Sequence, residues 1–296
     1  MDGGYRDLFV SAQDGLRVYA RDYGPVVSSA TPVVCLPGLA RNSSDFHELA
    51  LSLSQDATPR RVICVDYRGR GRSEWDQDWR NYDVRIEVND ILQILTVAGI
   101  ENAVFVGTSR GGLIIMALGA VRPTLLRGAV LNDVGPVIEA KGLIRIRGYI
   151  GKLPKPRNFR EAGQILKQMS DTQFPANTEE QWERLAKGTW QEKDGELVLS
   201  YDPALLRTLE ALDLETPLPD LWPFFEGLKN IPVMVLRGAN SDLLSATTLE
   251  EMQKRHPSLS AVTVPDQGHA PELEGALIET VGEFVRAAEQ AVTSKA

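Results

Sequence analysis

The chain has 296 residues, which is long enough for one large α/β core or for two small domains. Hydrophobic residues make up 43% of it and charged residues 24%, a balance typical of globular proteins that argues against intrinsic disorder. The formal net charge of -8 repels phosphate backbones and therefore disfavours nucleic acid as a partner. Because neither a secretory signal nor a long apolar run is visible, we expect a cytoplasmic protein without membrane attachment.

Cysteine and histidine are too scarce for a disulfide-rich or zinc-binding fold. The two cysteines, Cys35 and Cys64, lie inside apolar strand-like runs, where a cysteine is usually a small buried hydrophobe. A disulfide between them would need neighbouring strands and an oxidising compartment. A zinc site would need more Cys and His at close spacing. We therefore expect two buried thiols and neither a metal nor an organic cofactor.

Short apolar runs alternate with segments of helical periodicity along most of the chain. The apolar runs predict strands at residues 16–23, 32–38, 61–67, 103–108, 127–134, 232–238 and 261–264. The helical spacing predicts helices at residues 45–55, 83–98, 111–121, 247–255 and 272–290. This alternation predicts an α/β fold, with a mostly parallel sheet of about eight strands and helices on both faces. Right-handed crossovers then bring the carboxyl ends of the parallel strands to one edge, where ligands bind.

Residues 136–229 interrupt the alternation, because they contain no convincing core strand. Their periodicity predicts helices at residues 142–150, 159–169, 179–189 and 204–212. A loop of this length needs structure of its own in a compact domain. We therefore expect a core domain made of residues 1–135 and 230–296, with residues 136–229 as a helical insertion over the active edge. The same insertion could serve as the surface of a homodimer.

The segment 104–112 contains the pattern G-x-S-x-G between a predicted strand and a predicted helix, with Ser109 at its centre. In this context the serine sits on a sharp, strained turn with its hydroxyl exposed at the sheet edge. Side chains at Gly107 and Gly111 would clash in so tight a turn. The helix that follows favours negative charge near Ser109, so the backbone N–H of Arg110 is a candidate oxyanion donor.

A serine nucleophile needs a base, and the chain offers three histidines. His47 lies within a predicted helix and His256 at a helix end, where packing or capping roles are usual. His269 follows a predicted strand in a loop that should open onto the same edge as Ser109. We therefore predict His269 as the general base.

Two aspartates compete for the carboxylate that orients this histidine. Asp242 follows the strand at residues 232–238 and yields the chain order Ser, Asp, His expected for this arrangement. Asp133 follows the strand residues 127–132 and should face the same edge, either as the acid or as an anchor for the turn into the insertion. The chain order favours Asp242.

Together these residues resemble the α/β-hydrolase superfamily, in its branch of capped serine hydrolases and carboxylesterases. The resemblance covers nearly the whole chain, from about residue 16 to residue 284, and includes the pattern D-x-R-G-x-G-x-S at residues 66–73. It implies a second oxyanion donor after the strand at residues 32–38, where relatives often read His-Gly-x. Here proline replaces the histidine and the implied donor is the backbone N–H of Leu39. A serine at the elbow argues against the aspartate-dependent haloalkane dehalogenases and epoxide hydrolases of this superfamily.

The expected activity is hydrolysis of a small, fairly apolar carboxylic ester or lactone through an acyl-enzyme. One alternative is a carbon–carbon bond hydrolase of a dioxo acid, which would use the same groups and an anion site. The Arg110 side chain could supply that site, although a salt bridge to a neighbouring carboxylate is the favoured interpretation. A third hypothesis is a ligand receptor that retains the triad. Among the aromatic residues of the insertion, Trp222, Phe224 and Phe225 are the best candidates for positions near the substrate pocket.

Overall fold

A twisted sheet of eight strands forms the centre of the computed structural model, which describes residues 3–216 and 218–293. The described residues form the strands β1 (Tyr5–Ser11), β2 (Arg17–Tyr23), β3 (Val33–Leu36), β4 (Val62–Asp66), β5 (Ala103–Thr108), β6 (Leu126–Asn132), β7 (Trp190–Lys193), β8 (Glu196–Leu199), β9 (Val233–Gly238) and β10 (Leu259–Val264). The sheet order is β1-β2-β4-β3-β5-β6-β9-β10. Only β2 runs against its neighbours, so the predicted mostly parallel sheet of about eight strands is confirmed. The edge strand β1 was not among the predicted strands.

Helices cover both faces of this sheet, as predicted. The helices are α1 (His47–Ser54), α2 (Val84–Ala98), α3 (Arg110–Val121), α4 (Ala140–Tyr149), α5 (Phe159–Ser170), α6 (Glu179–Thr189), α7 (Leu206–Glu210), α8 (Trp222–Glu226), α9 (Ala246–Arg255) and α10 (Ala276–Thr293). Apolar side chains of α1 and α10 pack on one face, and those of α2, α3, α8 and α9 pack on the other. None of the helices within the described ranges is both long and apolar enough to cross a membrane.

The two cysteines lie side by side in the centre of the sheet. Cys35 on β3 and Cys64 on β4 are register partners in neighbouring parallel strands. Both are free thiols without solvent exposure, as predicted. Burial and the neighbouring Cys35 raise the pKa of Cys64 well above its ordinary value, so this thiol remains protonated.

Residues 140–210, from α4 to α7, contribute no strand to the central sheet, and we call this segment the insertion. It has a small core of its own, formed by Ala162, Ala186, Trp190 and Leu197. Besides the predicted helices it contains a two-stranded hairpin, β7–β8, which the sequence analysis missed. Asp194 and Gly195 turn this hairpin with φ angles of 53° and 78°, and an Asp-Gly pair is the usual signal for such a turn.

The insertion ends earlier than predicted. Helix α8 packs against α3, and Phe225 and Leu228 belong to the same apolar cluster as the central sheet. The predicted limit at residue 229 therefore assigned a core helix to the insertion. Residues 1–2, 217 and 294–296, which fall within the predicted core and insertion, lie outside the described residues.

Candidate active site

Ser109 occupies the sharp turn between β5 and α3. Its backbone has φ 51° and ψ -111°, a left-handed region that ordinary side chains rarely adopt. The flanking glycines are sterically required. A Cβ at Gly107 would lie 2.5 Å from the main chain of Gly111, and a Cβ at Gly111 would lie 2.1 Å from the carbonyl oxygen of Leu36. The turn therefore forms only with glycine on both sides of the serine.

His269 lies in the loop between β10 and α10, and the fold brings its ring to Ser109. The hydroxyl of Ser109 lies 2.8 Å from Nε2 of His269. The other ring nitrogen, Nδ1, lies 2.7 Å from Oδ2 of Asp133. Because an ionised carboxylate only accepts, Nδ1 carries the proton and Nε2 is free to accept from the serine. The predicted pairing of these two residues is thus present in the structure.

Asp133, and not Asp242, is the carboxylate that contacts the histidine. It follows β6 directly, has a φ of 55° and is fully buried. Its Oδ1 accepts the N–H of Gly238 at 2.8 Å, and its Oδ2 accepts the hydroxyl of Ser241 at 2.5 Å in addition to His269. These bonds fix the carboxylate in one orientation. The preference for Asp242 over Asp133 was therefore wrong.

Asp242 is held by the insertion instead. Arg145 on α4 forms two hydrogen bonds to it, from Nε at 2.7 Å and from Nη2 at 2.9 Å. Burial acts to raise the pKa of Asp242, but the hydrogen bonds from Arg145 and Gln173 outweigh it and hold the pKa below its ordinary value. In this structure Asp242 thus pairs with Arg145, whereas the hydrogen bond to His269 is made by Asp133.

The loop after β3 lies against Ser109 and is supported by a buried arginine. A Cβ at Gly38 would lie 3.9 Å from Cβ of Ser109. The carbonyl oxygen of Leu39 accepts a hydrogen bond of 2.7 Å from Nε of Arg70. No acceptor within the described residues bonds the N–H of Leu39. The N–H of Leu39, the predicted second oxyanion donor, is thus unpaired within the described residues and belongs to a loop that lies against the serine.

The Arg110 side chain forms the salt bridge that the sequence analysis favoured. Its Nε lies 2.5 Å from Oε2 of Glu87, which is fully buried on α2, and its Nη2 donates to the carbonyl of Tyr82 at 2.8 Å. The same carboxylate lies 2.8 Å from Nη1 of Arg70 as an ion pair without hydrogen-bond alignment. The side chain of Arg110 is therefore already engaged and does not present a free anion site.

The remaining two histidines are held elsewhere. Nδ1 of His47 lies 2.9 Å from the hydroxyl of Tyr23. His256 is the C-cap of α9, and its Nε2 donates to the carbonyl of Leu228 at 3.1 Å. Both occupy the packing and helix-end positions expected for them.

Ser109 and His269 open into a cavity of about 620 Å³ between the core and the insertion, a usual size for a small-molecule site. Apolar side chains from the insertion cover it, including Ile146, Ile150, Leu153, Leu166 and Phe174. The three aromatic residues predicted near the pocket are not among its lining. Phe225 is buried in the core, Trp222 packs against that core and Phe224 is exposed. Within the described ranges, no group of three or more His, Cys, Asp or Glu is arranged to hold a metal ion.

Glu272, which sequence reasoning did not single out, also lines this cavity. It lies on the loop that carries His269 and accepts a hydrogen bond of 2.7 Å from Asn177 of the insertion. Burial and the nearby Glu274 raise the pKa of Glu272 to about 7, although Asn177, Arg184 and Arg41 act in the opposite direction. This carboxyl group is thus half protonated near neutral pH.

Replacing Glu272 with Gln should stabilise the protein at alkaline pH. The pKa of the folded state, about 7, exceeds the ordinary value of 4.5. The protonated carboxyl group of Glu272 therefore makes its full contribution to the free energy of unfolding below pH 4.5. This contribution is lost as the pH rises through 7. At about 1.4 kcal/mol per pKa unit the loss approaches about 3 kcal/mol above pH 8. Glutamine mimics the protonated form and does not titrate.

Thermal midpoints of the two proteins at pH 4.5, 6 and 8 check this prediction. The Glu272→Gln variant should melt close to the wild type at pH 4.5 and increasingly above it at pH 6 and 8. Glu180→Gln, at an exposed position on α6, is the matched control and should show no such trend. A difference that does not change with pH would contradict the prediction.

A serine on a strand–turn–helix elbow, hydrogen-bonded to a histidine and a buried aspartate at the carboxyl edge of an α/β sheet, defines the serine-hydrolase class of this fold. The model of the family described as the alpha/beta hydrolase family matches residues 33–281. The chain belongs to this family, and it is a hydrolase.

Several known proteins are similar over most of the chain. A 3-hydroxybutyrate-oligomer hydrolase of Cupriavidus necator is 37% identical over 251 residues, which cover 81% of this chain and 82% of that protein. A 2-(acetamidomethylene)succinate hydrolase of Mesorhizobium japonicum is 27% identical over 233 residues, which cover 78% and 79%. The crystal structure of an alpha/beta hydrolase from Novosphingobium aromaticivorans superposes with a TM-score of 0.89 at 39% identity, covering 96% of this chain and 99% of that one.

Proposed function

We propose that the protein is a carboxylic-ester hydrolase that uses Ser109 as nucleophile, His269 as general base and Asp133 as the orienting acid. The observation that carries the proposal is the hydrogen-bonded chain Ser109–His269–Asp133, with contacts of 2.8 and 2.7 Å, at the wall of a cavity covered by apolar side chains. This arrangement activates a hydroxyl that is otherwise a weak nucleophile.

The proposed reaction proceeds through an acyl-enzyme. Nε2 of His269 accepts the proton of Ser109 as Oγ bonds to the ester carbonyl carbon. Asp133 holds the tautomer and stabilises the imidazolium. The N–H groups of Leu39 and Arg110 stabilise the oxyanion, and each donor of this kind contributes about 3 kcal/mol in known enzymes. The alcohol leaves with the proton from His269, and water then releases the acid by the same steps.

The proposed substrates are short linear oligoesters of small hydroxy acids, or the related lactones. The relative from Cupriavidus necator, at 37% identity over most of both chains, is named for such oligomers. The aliphatic lining of the cavity suits short alkyl chains. An oligoester also carries a terminal carboxylate. Lys187, which is exposed at the cavity and has no ion-pair partner within the described residues, is a suitable counter-charge.

The insertion is proposed to act as the cap of this site. Ile146, Ile150 and Leu205 of the insertion pack with Ala40 and Leu243 of the core. This apolar contact supports a position of the insertion over the carboxyl edge of the sheet, and a cap in this position would exclude water from the cavity. Exclusion of water strengthens the electrostatic contribution of the oxyanion donors.

The test is turnover of dimers and trimers of 3-hydroxybutyrate, together with p-nitrophenyl esters from acetate to decanoate. We expect the wild-type protein to release the hydroxy-acid monomer and to prefer short acyl chains. Ser109→Ala should abolish both activities, whereas Ser260→Ala, at an exposed position on β10, should keep wild-type rates. A folded wild-type protein that hydrolyses no ester would contradict the proposal and favour the receptor or carbon–carbon alternatives.

A further inference from the structure

Gln173 is a buried polar residue that the insertion places beside the histidine loop. It follows α5 and is 8% exposed. Its Oε1 accepts the backbone N–H of His269 at 3.1 Å. Its main-chain oxygen accepts a bond of 3.1 Å from the side chain of Asn240, in the loop after β9. One residue of the insertion thus contacts the two loops that follow β9 and β10.

The Gln173 side chain also packs tightly against the residue that precedes His269. A Cβ at Gly268 would lie 2.5 Å from both Cβ and Oε1 of Gln173. The glycine before His269 is therefore needed to admit the Gln173 side chain. A buried amide packed this tightly has little orientational freedom, so it holds its hydrogen-bond partner at a defined position.

The Gln173 side chain also acts on the carboxylate that Arg145 holds. Together with Arg145 it lowers the pKa of Asp242 against the effect of burial. Since Arg145 and Gln173 both belong to the insertion, the insertion neutralises Asp242 and also contacts His269.

We propose that Gln173 is a positioning residue that fixes the main chain of His269, so that Nε2 meets Ser109 only when the insertion is packed on the core. The inference rests on the proposed function, because it concerns the alignment of the proposed base. It assigns the insertion a role in aligning the base, in addition to covering the substrate. A shift of about 1 Å in a reacting group can cost roughly 100-fold in rate.

Two substitutions separate positioning from packing. Gln173→Met keeps the length of the side chain but removes the amide oxygen that accepts the backbone N–H of His269. We expect it to lower kcat by at least about tenfold with little change in KM, because only the alignment of the base changes. Gln173→Glu keeps the acceptor and adds a negative charge near His269 and Asp242. We expect it to shift the acid limb of the pH–rate profile to higher pH, because the added charge favours the imidazolium.

The experiment measures the rate at which a fluorophosphonate labels Ser109 between pH 5 and 9, together with kcat and KM for p-nitrophenyl butyrate. Gln191→Met, at an exposed position on β7 of the same insertion, is the matched control. The expected result is slower labelling by the Gln173→Met variant, a shifted profile for Gln173→Glu, and wild-type behaviour of the control. If Gln173→Met does not fold, the pH–rate profile of Gln173→Glu tests the proposal.

The outcomes distinguish this inference from the proposed function. A wild-type protein that the probe does not label overturns the proposed function and this inference with it. A labelled wild type whose Gln173→Met variant reacts at the same rate overturns this inference alone. A rise in KM with unchanged kcat, or an unshifted profile for Gln173→Glu, would also overturn it, since either result reduces Gln173 to a structural contact.

Discussion

Asp133→Asn should lower kcat for ester hydrolysis by about 10⁴-fold, whereas Asp242→Asn should retain most of the wild-type activity. Asparagine keeps the size of the side chain but presents an amide to Nδ1 of His269. The imidazole then loses the partner that fixes its tautomer and stabilises its charged form, a change that costs about 10⁴-fold in a serine protease triad. Asp242 contacts Arg145 at 2.7 and 2.9 Å, so its loss removes no partner of the histidine.

Steady-state kinetics on p-nitrophenyl butyrate check this pair of variants. The two substitutions are chemically identical and lie on adjacent strand ends, so each serves as the control for the other. Both proteins should show the wild-type thermal midpoint within a few degrees. Equal losses in the two variants, or a larger loss in Asp242→Asn, would refute the assignment of Asp133 as the orienting acid.

Glu87→Ala should lower the free energy of unfolding by about 3–5 kcal/mol, the usual result when one partner of a buried ion pair is removed. Glu87 on α2 is fully buried and contacts Arg110 at 2.5 Å and Arg70 at 2.8 Å. Arg70 is itself fully buried. Without the carboxylate both arginines lose their counter-charge, and Arg70 also supports the carbonyl of Leu39 at 2.7 Å.

Urea unfolding at neutral pH measures this loss. Glu283→Ala, at an exposed position on α10, is the matched control and should change the stability by less than about 0.5 kcal/mol. If Glu87→Ala is too unstable to purify, Glu87→Gln keeps the volume and still removes the charge. A Glu87 variant that unfolds at the same urea concentration as the control would show that the arginines find other partners.

Local patterns were sufficient to predict most helices and strands of the core. The alternation and the helical periodicity of apolar residues depend only on residues near each other in the chain. They arise because each helix or strand of the core buries apolar side chains in the sheet. These patterns gave wrong or missing predictions where the local signal was weak or was compatible with two different structures. The four-residue strands of the hairpin β7–β8 are too short to show a period, although Asp194-Gly195 marks their turn. The aromatic residues of helix α8 were predicted near the pocket, because aromatic side chains suit a pocket lining and a packed core equally well. In the structure this helix packs on α3.

The sequence by itself was sufficient to predict the candidate nucleophile and the candidate base. Ser109 follows from one strand–turn–helix segment whose glycines are required within that turn, and His269 is the histidine that follows a strand at the correct edge. The acid depends on tertiary contacts, because Asp133 and Asp242 follow the adjacent strands β6 and β9 and both face the same edge. Arg145 reaches Asp242 across 97 positions of the chain and occupies both of its oxygens. Tertiary packing therefore decides the acid, because Gly238 and Ser241 of the core orient Asp133 toward His269 while the insertion pairs Arg145 with Asp242.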